Sequence, residues 1–220
     1  MKHIFILCIF TIASLINSPK LTAQSNSKFT VVLDPGHGGH DNGTRTKSNI
    51  KEKDINLYVA KFIKLNIEEF SSNIKVVMTR ENDTFIPLKK RPLYARILNA
   101  DLFISIHCNH NPNSKSEGLE IYIQSTGVNN KINVSKIKRF ANILNKVSRK
   151  KLNYKSRGIK YENFSVLRNS INYIPSTLIE LGFFSNKNEA DYITSQKGIN
   201  GLSLIISKSI IEYLKKKQPK

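Results

Sequence analysis

A predominantly apolar run, Ile4 to Ile16, opens the chain behind a short basic start at Met1-Lys2-His3. The block is shorter than the roughly 20 residues that a membrane-spanning helix needs, and it matches the hydrophobic region of an export signal. Leu21-Thr22-Ala23 offers a small residue for cleavage before Gln24. Cys8 lies inside the block rather than after it, which favours cleavage over a lipid anchor. The expected organisation is a signal peptide over 1–23, a short polar linker over 24–28 and one domain over 29–216, with no transmembrane segment once the signal is gone. The expected location is outside the cytoplasm, in the periplasm or cell envelope.

Beyond the link the pattern changes. Phe29 to Leu33 is a β-rich apolar run, the signature of a buried strand. From Asp54, the residues Ile55, Tyr58, Val59, Phe62, Ile63 and Ile67 recur at spacings of three and four, which predicts a helix ending near Phe70. Lys75 to Met78 reads as a strand, and Leu88 to Leu98 as a helix with an early proline at Pro92. Leu102 to His107 and Gly118 to Gln124 read as strands, Ile132 to Leu152 as a helix with a lysine-rich outer face. Phe164 to Leu167 and Thr177 to Leu181 read as short strands, with helices near Asn188 to Thr194 and Ile199 to Lys215. Strands alternating with helices predict an α/β fold: a single domain with a largely parallel central sheet flanked by helices.

Charge narrows the partners. The chain has 35 Lys+Arg against 16 Asp+Glu, a formal net charge of +19, and the export segment contains only Lys2 and Lys20 of the basic residues. Such a surplus favours polyanions. No zinc finger or aromatic RNA-binding strand accompanies the lysines, so nucleic acid is not the expected partner, and for an exported protein anionic wall polymers fit better. Removal of the signal leaves Cys108 as the sole cysteine, so no internal disulfide is available. Neighbours on a strand point to opposite faces; if His107 faces a site, Cys108 faces the packing as a buried thiol.

Three residues carry the candidate chemistry. His37 sits in the Pro/Gly-broken turn of VVLDPGHGGHDNG, Glu52 in KEKDINL, and His107 ends LFISIH. Two imidazoles and one carboxylate form the ligand set that leaves a zinc ion one open position for water. Glu180 closes the apolar strand Thr177-Leu178-Ile179, where a carboxylate is costly unless it is bound or used, and it remains as a base. His37, His107 and Glu180 each fall at or just past a strand end, and Glu52 falls just before a helix. The carboxyl ends of parallel strands form the crevice where such residues meet. Each residue taken alone also has a plain reading: a turn histidine, a helix-end carboxylate, a strand-end hydrogen-bonder. His40 and His110 flank the set in polar loops and are not expected to ligate.

Taken together, LDPGHGG (Leu33–Gly39), EKDINL (Glu52–Leu57), TRENDTFIPLKKR (Thr79–Arg91), NADLFISIHCN (Asn99–Asn109), GLEIY (Gly118–Tyr122) and IELGFFSN (Ile179–Asn186) resemble the zinc-dependent N-acetylmuramoyl-L-alanine amidases, the amidase-3 cell-wall hydrolases. The resemblance spans Phe29 to about Tyr213. It implies zinc held by His37, Glu52 and His107, with Glu180 as the catalytic glutamate and peptidoglycan as substrate. The reaction implied is hydrolysis of the amide between the lactyl group of N-acetylmuramic acid and L-alanine of the stem peptide. Asn42 departs from a usual proline and His110 from a usual small residue; neither is a ligand position. Asp34 or Asn109 would orient a ligand imidazole, unless they serve turn and strand-end hydrogen bonding, and Arg168 either meets a stem carboxylate or is a surface arginine. A zinc peptidase cutting within the stem peptide, or a non-catalytic wall-binding protein, remains the alternative to this reading.

Overall fold

The computed structural model describes residues 28–216. The expected signal over 1–23, and all of the expected linker except Lys28, lie outside the described residues. Within them the elements run β1 (Phe29–Pro35), α1 (Glu52–Phe70), β2 (Ile74–Met78), α2 (Arg91–Ile97), β3 (Leu102–Asn109), β4 (Leu119–Gln124), α3 (Lys131–Val147), β5 (Ser156–Glu162), α4 (Ser165–Arg168), β6 (Ser176–Phe183), α5 (Lys187–Thr194) and α6 (Gln196–Lys215). The strands form one six-stranded sheet in the order β2-β1-β3-β6-β4-β5. All neighbours are parallel except β4 against β6. The expected α/β class and largely parallel sheet are what the chain forms.

Alternation along the strands divides the core. Val31, Leu33, Ile104, Ile106, Cys108, Ile121 and Ile179 point to the face covered by α1, α3 and α6, where the larger apolar cluster lies. Val32, Phe103 and Leu178 point to the other face and pack with Ala95 of α2 and with Val166 and Leu167 of α4. Cys108 is buried in the larger cluster, one residue after His107 on the opposite face, as the alternation predicts.

Local chemistry sets the helix ends. Glu52 and Asp54 occupy the first turn of α1, where the helix dipole favours negative charge. Pro92 lies at the start of α2, where a missing N–H costs nothing. Asn186 and Ser195 cap α5 and α6 by accepting from the amides of Glu189 and Gly198.

The structure corrects two expected elements and adds a strand that was not expected. Phe164–Leu167 is not a strand: Ser165–Arg168 forms a single helical turn whose Val166 and Leu167 wedge against the sheet. The β5 strand has no counterpart in the hydrophobic pattern, because in SRGIKYE only Ile159 packs against the core. The helix expected to reach Leu152 ends at Val147 and passes into a π-helical turn, Ser148–Leu152, closed by the Asn153 and Tyr154 amides on the Ser148 carbonyl.

Candidate metal centre and catalytic cleft

The turn after β1 builds the site. Its backbone carbonyls are gripped by two buried arginines. Arg80 donates from Nε to the Pro35 carbonyl at 3.0 Å and from Nη2 to Gly36 at 2.9 Å. Arg91 donates from Nη1 to Pro35 at 2.9 Å and from Nη2 to the His37 carbonyl at 2.8 Å. Arg91 also forms a buried 3.0 Å ion pair with Asp34, whose carboxylate accepts from Thr79 and Ser105 as well. This grip holds His37 at φ 61, a left-handed conformation that a non-glycine residue adopts only when its surroundings enforce it. Two glycines make room. A Cβ on Gly36 would stand 2.2 Å from the His107 ring, and one on Gly43, at φ 64, would stand 2.4 Å from the Glu52 carboxylate.

His37, Glu52 and His107 converge. One ligating atom from each lies within 4.8 Å of the others, a grouping that can hold a metal ion. His37 Nε2 is 3.1 Å from Glu52 Oε1, and His107 Nδ1 is 3.0 Å from the same oxygen. The opposite nitrogen of His37, Nδ1, is 2.9 Å from Asp41 Oδ2. If that carboxylate takes the Nδ1 hydrogen, a neutral His37 has only a lone pair at Nε2, facing another acceptor. Such a contact is stable only with a cation between the two atoms, a second proton or a metal ion. The donor set therefore fits a metal, and Asp41 is placed where it would orient the His37 imidazole as a ligand.

The electrostatics agree with this geometry. Burial alone would push the Glu52 carboxyl up, but hydrogen bonds from His107 and His37 outweigh it and hold the group well below the usual carboxylate range. Burial works against a charged His37 too, yet Glu52 and Asp41 together raise its pKa above the ordinary histidine value. Glu52 is further fixed by the amides of Cys108 at 3.0 Å and Thr44 at 2.8 Å and by the Asn56 side chain at 3.2 Å. It is both the first residue of α1 and part of the cluster, so the helix-end reading leaves room for the ligand reading.

Glu180 lies across the strand pair from His107, as its register partner on β6. The parallel register shifts just beyond, between His107 and Asn109, and such an irregularity re-aims side chains at a sheet's end. Glu180 Oε2 is buried and has no hydrogen-bond partner. Burial first, and then the carboxylates of Glu52 and Glu120, drive its pKa well above the ordinary glutamate value. His37, His107 and Glu180 share a cleft of about 430 Å³ whose walls are largely apolar, with Phe85, Leu88, Phe164, Val166 and Leu178 among its lining.

Other candidate residues fall elsewhere. Asp34 belongs to the Arg91 ion pair and Asn109 donates to Glu120, so neither touches a ligand imidazole through the contacts described; both take the hydrogen-bonding role. Asp41, four residues beyond His37, takes the orienting position, and its signal was a carboxylate in a glycine-rich turn. His40 stacks on Phe85 at 4.2 Å, and His110 is exposed. Arg168 is exposed and donates to the backbone and side chain of Asn163.

A candidate metal site with an adjacent buried carboxylate, at the end of a largely parallel sheet, is the arrangement of the hydrolase class to which the comparisons point. Residues 31–212 match the family of N-acetylmuramoyl-L-alanine amidases, and the chain belongs to that family. It is similar to the probable cell wall amidase LytH of Staphylococcus saprophyticus, with 34% identity over 188 residues, 84% of this chain and 57% of that protein. It is 35% identical to the N-acetylmuramoyl-L-alanine amidase LytC of Bacillus subtilis over 161 residues, 73% of this chain and 30% of that protein. The chain thus spans little more than half of one curated relative and under a third of the other. Among solved structures, an N-acetylmuramoyl-L-alanine amidase from Clostridium difficile 630 matches with a TM-score of 0.79 and 34% identity, covering 87% of this chain and all of that one. The catalytic domain of CwlV from Bacillus (Paenibacillus) polymyxa var. colistinus matches at 0.76 with 34% identity, covering 85% of this chain and 98% of that one.

Proposed function

We propose that this protein is a zinc-dependent N-acetylmuramoyl-L-alanine amidase that cleaves the amide between the lactyl group of N-acetylmuramic acid and the first stem-peptide residue of peptidoglycan. Family membership supports the reaction class, and the convergence of His37, Glu52 and His107 beside Glu180 supports the mechanism. The observation that carries the reading is the buried Glu180 Oε2, an acceptor with no partner at the edge of the candidate metal site.

His37, Glu52 and His107 would hold the metal. When bound, zinc polarises the scissile carbonyl and brings the pKa of water into the neutral range. Glu180 takes the proton from the attacking water as its oxygen adds to the carbonyl carbon. The same carboxyl then delivers that proton to the alanine nitrogen as the C–N bond breaks, so the immediate products are the lactyl carboxylic acid and the free amine, which become carboxylate and ammonium when the remaining acid proton passes to the amine. A carboxylate that burial makes costly to ionise accepts a proton readily, which suits the first step. Asp41 holds the His37 ring by Nδ1 and turns Nε2, the atom that would be offered to the metal, toward Glu52. The apolar walls reduce competition from bulk water.

The expected setting is the cell envelope after export. Among the described residues no helix is long and apolar enough to cross a membrane. Mass spectrometry of isolated peptidoglycan digested by the zinc-loaded protein tests the reading. Free peptides beginning in L-alanine are expected. Cuts inside the stem peptide would replace it with the peptidase, and no release despite full zinc content would leave a wall-binding protein. Glu180→Gln keeps the shape and loses the base, so turnover should fall by about 10²–10⁴ with zinc content retained. Lost zinc would make Glu180 a ligand instead.

A further inference from the structure

The polar line on the cleft face of the sheet does not stop at Glu180. Its antiparallel register partner on β4 is Glu120, one strand closer to the sheet edge. The Glu120 side chain is only 2% exposed yet carries four donors. Oε1 accepts from Arg157 Nε at 2.6 Å and pairs with Lys160 Nζ at 2.7 Å. Oε2 accepts from Asn109 Nδ2 and from the Tyr122 hydroxyl, each at 2.8 Å. Burial opposes the charge on Glu120, but Lys160, Tyr122 and Arg157 together hold its carboxyl below the ordinary value.

One cation balances one carboxylate, so the second is surplus for that purpose. Arg157 and Lys160 are each about a third exposed, at 35% and 36%, and they leave net positive charge beside the proposed base. Arg157 uses Nε on Glu120 and rests over the Phe183 ring at 5.4 Å. Its terminal N–H groups have the planar geometry that meets a carboxylate. On the other side of Glu180 the cleft is walled by Phe85 and Leu88. The two ends of the groove therefore differ in chemistry.

The two arms of the proposed substrate differ in the same way, and this step rests on that reading of the function. The muramyl arm has spent its lactyl carboxylate in the scissile amide and offers sugar faces and methyl groups. The peptide arm carries a carboxylate on its second residue unless that group is amidated. We propose that Arg157 and Lys160, seated on Glu120, are specificity-determining residues that bind this stem-peptide carboxylate, so the peptide arm crosses β4 and β5 while the sugar arm lies against Phe85 and Leu88.

Two synthetic muramyl peptides, one with a carboxylate and one with a carboxamide on the second residue, provide the test. The wild-type zinc enzyme should favour the carboxylate in kcat/KM by about tenfold, the value of a charge-assisted hydrogen bond. Lys160→Gln keeps a donor for Glu120 and removes the charge; Arg157→Gln does the same on its side. Each should bring the ratio towards one by raising KM for the acidic substrate. Lys208→Ala, on the outer face of α6, should leave the ratio in place and so controls for net charge. Melting curves and zinc content establish that the variants fold. A wild-type ratio of one, or variants that keep the wild-type ratio, would overturn the assignment while leaving the amidase intact. If the wild type releases no peptide from either substrate, the proposed function fails and takes this assignment with it.

Discussion

At Glu52 one carboxylate serves three ends. It opens α1, receives two backbone amides and meets both imidazoles. Removing the side chain therefore costs more than a helix-end charge would. Glu52→Ala leaves the Cys108 and Thr44 amides without their acceptor, and each buried unsatisfied donor costs about 1–3 kcal/mol. Glu52→Gln preserves one acceptor oxygen and most of the shape. Both variants should lose zinc in metal analysis, and the melting temperature should drop clearly further for Glu52→Ala; full zinc occupancy in Glu52→Gln would return the residue to a purely structural role. In the sequence His107 and Glu180 stood out because each closes an apolar strand, whereas His37 and Glu52 joined them through the chemistry of a two-imidazole, one-carboxylate ligand set and through the motifs around them. Asp41 was not singled out, since its contact with His37 exists only through the left-handed backbone at His37. No spacing rule separates Asp41 from Asp34, and the packing alone sends one to the imidazole and the other to Arg91.

Elements with a strong apolar pattern were readable to within a few residues: the one-faced helices α1 and α6 and the strands β1 and β3, buried on both faces. Those that failed carry their structure in contacts rather than pattern. The edge strand β5 exposes polar residues because its cleft-facing cations answer to Glu120, and Gly158 sits at φ 82 beside a register shift against β4. The β-prone sequence at Phe164–Leu167 becomes a helical turn because the second face of the sheet needs Val166 and Leu167 as cover. The turn after β1 likewise depends on distant partners: Arg80 follows β2 and Arg91 begins α2. Arg91→Lys keeps a charge for Asp34 but cannot span Asp34 and the carbonyls of Pro35, His37 and Ile86 at once. The folded domain should survive this change. Zinc affinity, measured by chelator competition, should weaken by about 10–100-fold, the usual cost of losing an outer partner of a ligand. Unchanged affinity would mean that Arg80 alone fixes the turn.

Across the whole molecule two groups of basic residues contribute little to the surplus felt outside. Lys53, Arg80 and Arg91 are buried and spend their hydrogen bonds inside the turn that bears His37, so they offer little to an external partner. Lys64, Lys155, Lys187 and Lys216 have acidic neighbours within 3.0 Å and are largely neutralised locally. The full chain has 35 basic residues against 16 acidic ones and only Lys2 and Lys20 fall in the export segment, so a wide positive field still remains around the domain. Such a field acts on wall carboxylates and phosphates through solvent, where charges are screened over about 10 Å at 0.1 M salt. Retention on isolated sacculi should therefore fall as sodium chloride is raised. Turnover of a small muramyl peptide with an amidated second residue should change far less over the same series, because its contacts lie within the cleft. A pull-down run in parallel with the soluble assay separates the two effects. Retention that ignores salt would assign wall binding to the cleft itself and leave the surface lysines as solvated cover.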